Sequence, residues 1–123
     1  MANPFVHVEL STTDLPKARA FYSQLFDWKL EDMSMDDGTY TLINVGEGTG
    51  GGMMMTPPGG PTAWLPYVLV DNVAAATKKA KSLGATVMKD VTEVKGMGSF
   101  SILVDPTGAM IALWEAKARQ SGT

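Results

Sequence analysis

Residues 5–30, FVHVELSTTDLPKARAFYSQLFDWKL, and residues 64–87, WLPYVLVDNVAAATKKAKSLGATV, follow the same plan. Each segment begins with a short apolar run typical of a strand, continues with an aspartate and a helical pattern, and ends in another strand-like run. The two segments superimpose at an offset of 57 residues, which places Asp14 on Asp71. This internal repeat predicts two copies of one structural unit.

The rest of each half adds strands to this plan. Asp36-Asp37-Gly38 and Asp105-Pro106-Thr107-Gly108 are turn signals between strand-like runs, and Met53-Met54-Met55 predicts a short fourth strand after the glycine-rich residues 46–52. We predict an α+β fold of two tandem βαβββ modules, which form a curved eight-stranded mixed sheet with a cleft and with the helices outside. The first module spans residues 1–58 and the second spans residues 62–123, within one compact domain, because half of this chain would bury too little surface alone.

Two helices follow from capping residues and apolar spacing. Asp14, with Pro16 in the first turn, predicts the start of the first helix, and Asp71 predicts the start of the second, which Gly84 ends. Residues at helical spacing are expected to face the core. In the first helix these are Leu15, Ala18, Tyr22, Leu25 and Phe26, and in the second they are Val73, Ala76, Ala80 and Leu83.

Composition limits the classes of function. The 123 residues carry a formal net charge of -3, so no basic surface for nucleic acid is expected. No cysteine is present, which excludes disulfides, thiolate metal sites and a cysteine nucleophile. Neither a signal peptide nor a membrane-spanning run is found in the sequence, and we therefore expect no membrane association and a cytoplasmic location.

His7 and Glu9 are the candidate catalytic residues. They alternate with Val6, Val8 and Leu10 in the first strand, so both ionisable groups face away from the apolar side. His7, the single histidine, could serve as a base or a hydrogen-bond donor, or could simply bond to a neighbour. Glu9 could orient a ligand or act as a base, or could form a structural hydrogen bond.

An apolar group on the first and last strands of the second half, with Met54 from the first half, is the candidate ligand-binding set. Aromatic and thioether side chains adapt to flat hydrophobic molecules, although each of these residues could also simply fill the core. The predicted ligand-binding residues are Leu65, Tyr67, Met54, Met110, Ala112 and Trp114.

The motif order resembles the vicinal oxygen chelate superfamily, the group of glyoxalases, bleomycin-resistance proteins and ring-cleaving dioxygenases. In the first half the motif is Asp14-Leu15-x-x-Ala18-x-x-Phe21-Tyr22-x-x-Leu25-Phe26-x-Trp28. In the second half the motifs are Tyr67-x-x-Val70-Asp71-Asn72-Val73, Leu83-Gly84-Ala85 and Asp105-Pro106-x-Gly108. The resemblance covers residues 5–115, implies the paired-module fold, and leaves the reaction open because such superfamilies host many activities.

The resemblance also implies a divalent metal with four ligand positions. Of these positions only His7 carries a donor; the others fall on Leu65, on Ala112 and within the Met53-Met54-Met55 segment. Leucine and alanine cannot ligate, and thioethers are poor ligands for hard divalent ions. We therefore predict no metal and no other cofactor.

The predicted function is binding of a small, largely apolar or aromatic molecule in the sheet cleft, in the manner of antibiotic-sequestering members. One alternative is a metal-dependent lyase or isomerase with an unusual site at His7 and Glu9. Another is a metal-free acid–base enzyme that uses Glu9. A homodimer is expected, because sheets in this family commonly pair.

Overall fold

The computed structural model describes residues 3–35 and 38–117. The described chain contains eight strands and two helices in two compact units. One unit is Val6–Pro66, and the other combines the residues up to Phe5 with those from Tyr67 onward. Residues 3–5 belong with the later unit because Pro4 accepts a backbone hydrogen bond from Leu69, and Asn3 donates a side-chain bond to the Leu69 carbonyl.

The Val6–Pro66 unit holds one helix and four strands, hydrogen-bonded in the order β2-β3-β4-β1. The pairs β2–β3 and β3–β4 are antiparallel, whereas β1 and β4 run parallel. The bounds are β1 Phe5–Thr12, α1 Leu15–Leu25, β2 Lys29–Met35, β3 Gly38–Asn44 and β4 Gly51–Met55. Strand β4 thus includes Gly51 and Gly52, which the sequence pattern had assigned to a loop. The predicted Asp36-Asp37 turn lies outside the described residues.

Helix α1 begins as predicted at Asp14, whose carboxylate accepts a hydrogen bond from the Lys17 amide at 3.0 Å. Its buried contacts come from the start of the predicted apolar stripe: Leu15 joins Leu10, Ile43 and Met53 in one core cluster, with Ala18 and Tyr22 packed against it. The end of the stripe was predicted wrongly, since Leu25 is 56% exposed and Phe26 is 44% exposed.

A polar link connects α1 to the sheet of this unit. The Arg19 guanidinium donates to Asp32 Oδ2 at 2.8 Å, and the fully buried Thr41 hydroxyl donates to Asp32 Oδ1 at 2.8 Å. The Thr41 hydrogen bond, supported by Arg19, holds the pKa of Asp32 below its usual value. The Asp32 carboxylate thereby supplies a hydrogen-bond acceptor to the Thr41 hydroxyl, which is buried away from water.

The second unit repeats the plan, with strands in the order β5-β8-β7-β6. Strands β5 and β8 are parallel, and β8–β7 and β7–β6 are antiparallel. The bounds are β5 Ala63–Leu69, α2 Val73–Ser82, β6 Thr86–Val94, β7 Gly98–Val104 and β8 Met110–Ala116. The predicted α+β class, with eight strands in mixed pairing and two helices, is confirmed.

Helix α2 corrects two sequence expectations. Asn72, not Asp71, is the N-cap: its side chain accepts from the Ala75 amide at 3.0 Å, and its extended backbone directs the following residues into the helix. Leu83 was expected to face the core but is 68% exposed, because the helix ends at Ser82. Gly84 follows with a φ of +102°, the left-handed conformation that glycine adopts without strain.

Two buried hydroxyl groups join α2 to β7. The Thr77 hydroxyl donates to the Val73 carbonyl at 2.6 Å, so its single proton is used and the Ser101 hydroxyl, 2.8 Å away, donates to Thr77. Both side chains are buried. Neither described helix is long and apolar enough to cross a membrane.

We expect Thr77→Val to destabilise the chain by about 1–3 kcal/mol, because the buried Ser101 hydroxyl loses its acceptor. Ser101→Ala should cost less, since Thr77 keeps its bond to Val73. Adding Ser101→Ala to Thr77→Val should restore part of the lost stability. Urea denaturation of the four proteins measures this coupling, with Thr86→Val as a control at an exposed strand position. Simple additivity of the two single changes would contradict the assigned hydrogen bond.

Candidate functional site

The two candidate catalytic residues lie on the face of β1 opposite the core of the Val6–Pro66 unit. Leu10 pairs with Met53 in the parallel β1–β4 register, and both side chains are buried in the core cluster with α1 residue Leu15. Strand alternation turns His7 and Glu9 to the other face, as predicted, where each is half-buried.

Tyr40 of β3 brings these two residues together. Its hydroxyl lies 2.7 Å from His7 Nε2 and donates to Glu9 Oε2 at 2.9 Å. Because a phenol has one proton, the oxygen that donates to Glu9 must accept from His7, which places a proton on Nε2. The rings of His7 and Tyr40 are nearly parallel, at an interplanar angle of 20° and a centroid distance of 6.3 Å.

The path of Tyr40 depends on Gly52. Strand β4 lies between β3 and β1, and Gly52 pairs with Leu42 on one side and with Glu9 on the other. A Cβ atom at position 52 would overlap the Tyr40 hydroxyl and ring. The Tyr40 side chain therefore crosses β4 over the backbone of Gly52, where no side chain blocks its path to β1.

Burial lowers the pKa of His7 below its ordinary value, because an imidazolium ion is poorly solvated there. The imidazole is accordingly neutral at pH 7. In a neutral imidazole, a proton on Nε2, which the contact with Tyr40 requires, leaves Nδ1 without one.

Three apolar side chains share the sheet face of the His7–Tyr40–Glu9 group. Met33 pairs with Tyr40 across β2–β3, Leu42 pairs with Gly52, and Met54 pairs with Ser11 across β1–β4. All three are half-buried, so part of each side chain is accessible. Of the predicted ligand-binding residues, Met54 is thus placed beside the candidate catalytic pair.

The remaining predicted residues lie mainly in the other unit. Tyr67 pairs with Ala112 across β5–β8, and both are buried, with the Tyr67 ring 6.1 Å from that of Phe100. Trp114 pairs with Leu69 and Phe100, and is half-buried. Met110 is 41% exposed at the start of β8, and Leu65 is buried in the part of β5 that belongs to the Val6–Pro66 unit.

Trp64, one of the large aromatic residues of the sequence, serves a different purpose. Its indole Nε1 donates to the Tyr22 hydroxyl at 3.3 Å, and its ring packs edge-on against Tyr22 and Trp28. It belongs to an aromatic cluster of α1 and its neighbouring strands.

The residues at the family metal positions do not fit a divalent ion. Leu65 and Ala112 offer no donor atoms, and Met53 is fully buried in the core cluster. Across residues 3–35 and 38–117, no three His, Cys, Asp or Glu side chains converge in a metal-binding group. His7 and Glu9 already share Tyr40 as a partner, and two such donors alone would hold an ion weakly.

Sequence reasoning missed Tyr40 and Gly52. The alternation of residues 39–45 puts Tyr40 on one face of a strand, and the Gly51-Gly52 pair marks a place where another group approaches the backbone closely. Neither signal identifies the partner, because the register between β3, β4 and β1 is a tertiary property.

Comparison with known proteins identifies the family. The model of the Glyoxalase/Bleomycin resistance protein/Dioxygenase superfamily matches residues 5–113, and the chain belongs to this superfamily. "Putative glyoxylase CFP32" of Mycobacterium bovis is 32% identical over 122 residues, covering 94% of this chain and 47% of that protein. The anthracycline biosynthesis protein DnrV of Streptomyces peucetius is 27% identical over 122 residues, covering 86% of this chain and 44% of that protein.

The chain therefore spans about half the length of these two relatives. Among solved structures, the hypothetical protein BH1468 from Bacillus halodurans is similar with a TM-score of 0.74 at 13% identity, over 99% of this chain and 100% of that one. At this level of identity the likeness concerns the fold alone.

Because folded His7 has a lowered pKa, its contribution to stability is present above the unfolded pKa of about 6.5 and is lost as the pH falls through the folded pKa. We expect the free energy of unfolding to drop between pH 7.5 and pH 5. In His7→Gln, which keeps a donor for Tyr40, this part of the drop should disappear. Urea denaturation across that range compares the two proteins, and parallel pH profiles would contradict a lowered His7 pKa.

Proposed function

We propose that this chain is a glyoxalase- and bleomycin-resistance-like protein that binds a small, largely apolar or aromatic molecule without a family-type metal. The proposal rests on one observation: a hydrogen-bonded polar group and accessible apolar side chains lie on one sheet face. The polar group is His7–Tyr40–Glu9. The apolar side chains are Met33, Leu42 and Met54. A few polar groups within an adaptable apolar lining are typical of small-molecule sites.

The polar group favours some ligands over others. Glu9 supplies carboxylate oxygens, which accept hydrogen bonds, and a neutral His7 adds no positive charge that would offset them. An uncharged aromatic molecule with a hydroxyl or amine donor is therefore the favoured ligand, and an anionic one is disfavoured. The name of DnrV supports an aromatic ligand, since anthracyclines are flat polycyclic aromatic compounds.

A second candidate is metal-free acid–base catalysis by Glu9. It is favoured by the Tyr40 hydroxyl, which links the carboxylate to an imidazole through short hydrogen bonds. If Glu9 is a base, Glu9→Gln should abolish turnover of a bound compound while that compound still binds. A loss of binding and turnover together would assign Glu9 to recognition.

Metal-dependent lyase or isomerase activity at His7 and Glu9 is less well supported, because the described residues supply no third donor of the usual kind. Elemental analysis of protein purified without chelator tests it. We expect no stoichiometric Zn, Mn, Ni or Fe, and no rise in Tm when these ions are added.

We also propose a cytoplasmic homodimer. Support for association comes from four large apolar side chains that are exposed, since exposed apolar surface commonly marks an interface. These are Phe21, Leu25, Phe26 and Trp64. Sedimentation equilibrium tests the dimer, and Phe21→Ser with Leu25→Ser should shift it toward the monomer.

Matched pairs of aromatic probes test the binding proposal. We expect 2-naphthol to raise the Tm of the protein and 2-naphthoate, its carboxylate counterpart, to raise it much less, because the anion faces Glu9. Met54→Asp should abolish the 2-naphthol effect, whereas Met97→Asp, at an exposed site in the other unit, should not. Failure of an extended panel of uncharged aromatic compounds to raise the Tm would contradict the proposal.

A further inference from the structure

The three polar residues of the site form a hydrogen-bond chain with a direction. The Tyr40 hydroxyl donates to Glu9 Oε2 at 2.9 Å, so the phenol proton points toward the Glu9 carboxyl group. The Tyr40 oxygen then presents its lone pairs to His7 Nε2 at 2.7 Å, and the imidazole must carry its proton on that nitrogen.

We propose that Tyr40 is a positioning residue, which donates its one proton to Glu9 and thereby holds the His7 imidazole in the Nε2–H tautomer. The inference rests on the proposed function only in placing these residues before the bound molecule. The new element is that Glu9 sets which nitrogen of His7 carries the proton, and that it does so through the Tyr40 hydroxyl.

Electrostatics support this direction. If the hydrogen-bond chain ran in the opposite direction, the Tyr40 hydroxyl would donate to His7 Nε2. The phenol oxygen would then face the Glu9 carboxylate without a proton between them. Two acceptor oxygens at hydrogen-bond distance repel each other, whereas a charge-assisted O–H···O⁻ bond is about twice as strong as a neutral one. Glu9, as the acceptor of the Tyr40 proton, therefore selects the direction of the whole hydrogen-bond chain.

Gly52 leaves the space that the Tyr40 side chain needs in order to form both hydrogen bonds. The Tyr40 side chain starts on β3 and must cross β4 to reach Glu9 and His7 on β1. Any side chain at position 52 would meet the phenol, so Gly52→Ala should displace the Tyr40 hydroxyl without changing any charge. This variant keeps the Tyr40 hydroxyl but moves it, so it tests the position of the hydroxyl, whereas Tyr40→Phe tests its presence.

The single histidine makes the inference directly measurable. The averaged ¹⁵N shifts of its two ring nitrogens give the ratio of Nε2–H to Nδ1–H at a pH where the ring is neutral, with no ligand present. In Glu9→Gln the Tyr40 proton is free to turn toward Nε2. We expect the ratio to fall by about tenfold, which corresponds to about 1.4 kcal/mol.

Tyr40→Phe and Tyr40→Phe/Glu9→Gln complete the cycle. Without the hydroxyl, Glu9→Gln should change the ratio by less than about twofold, because Glu9 then has no hydrogen-bonded route through Tyr40 to His7. Tyr40→Phe alone and Gly52→Ala should each lower the ratio relative to the wild type. Amide ¹H–¹⁵N spectra verify that each protein is folded, and Tyr40→Phe provides the test if Glu9→Gln does not fold.

An unchanged ratio in Glu9→Gln or in Tyr40→Phe would overturn the inference. An equal effect of Glu9→Gln with and without the Tyr40 hydroxyl would also overturn it, since the carboxylate would then act on His7 directly. Because no ligand enters these measurements, a failed binding screen would remove the proposed function and leave this result intact.

Discussion

The site depends on one constraint: an imidazole and a carboxylate on a partly buried sheet face need hydrogen-bond partners. Tyr40 satisfies both with a single hydroxyl, 2.7 Å from His7 and 2.9 Å from Glu9. The tyrosine reaches them only because Gly52 leaves the intervening strand bare. The polar geometry of the face is therefore determined jointly by residues of β1, β3 and β4.

The chain lacks most of the metal ligands that its family resemblance implies. Leucine and alanine occupy two positions where the family pattern expects metal ligands, and the one histidine that remains bonds to a phenol. The proposed function rests on this sheet face, since apolar side chains beside a few polar groups are typical of small-molecule sites.

Local sequence patterns predicted most of the fold. The repeat, the Asp14 cap, the turn at residues 105–108 and the strand alternation led to the confirmed α+β class. The errors arose where tertiary packing overrode a local preference. Asn72 displaced Asp71 as the cap of α2, Gly51 and Gly52 entered β4 because Val8 and Glu9 offered a parallel partner, and Leu83 lost its core position when the helix ended one residue earlier.

By itself, the sequence determined the candidate pair and the missing donors. His7 and Glu9 share a strand face because the side-chain period of a strand is two, and no fold can turn Leu65 or Ala112 into a ligand. Only the tertiary structure decided which group joins the pair. Tyr40 lies 31 residues beyond Glu9 in the chain, and it becomes a neighbour through the register that aligns Leu42, Gly52 and Glu9 across three strands. That register depends on the packing of the whole unit, which no local pattern encodes.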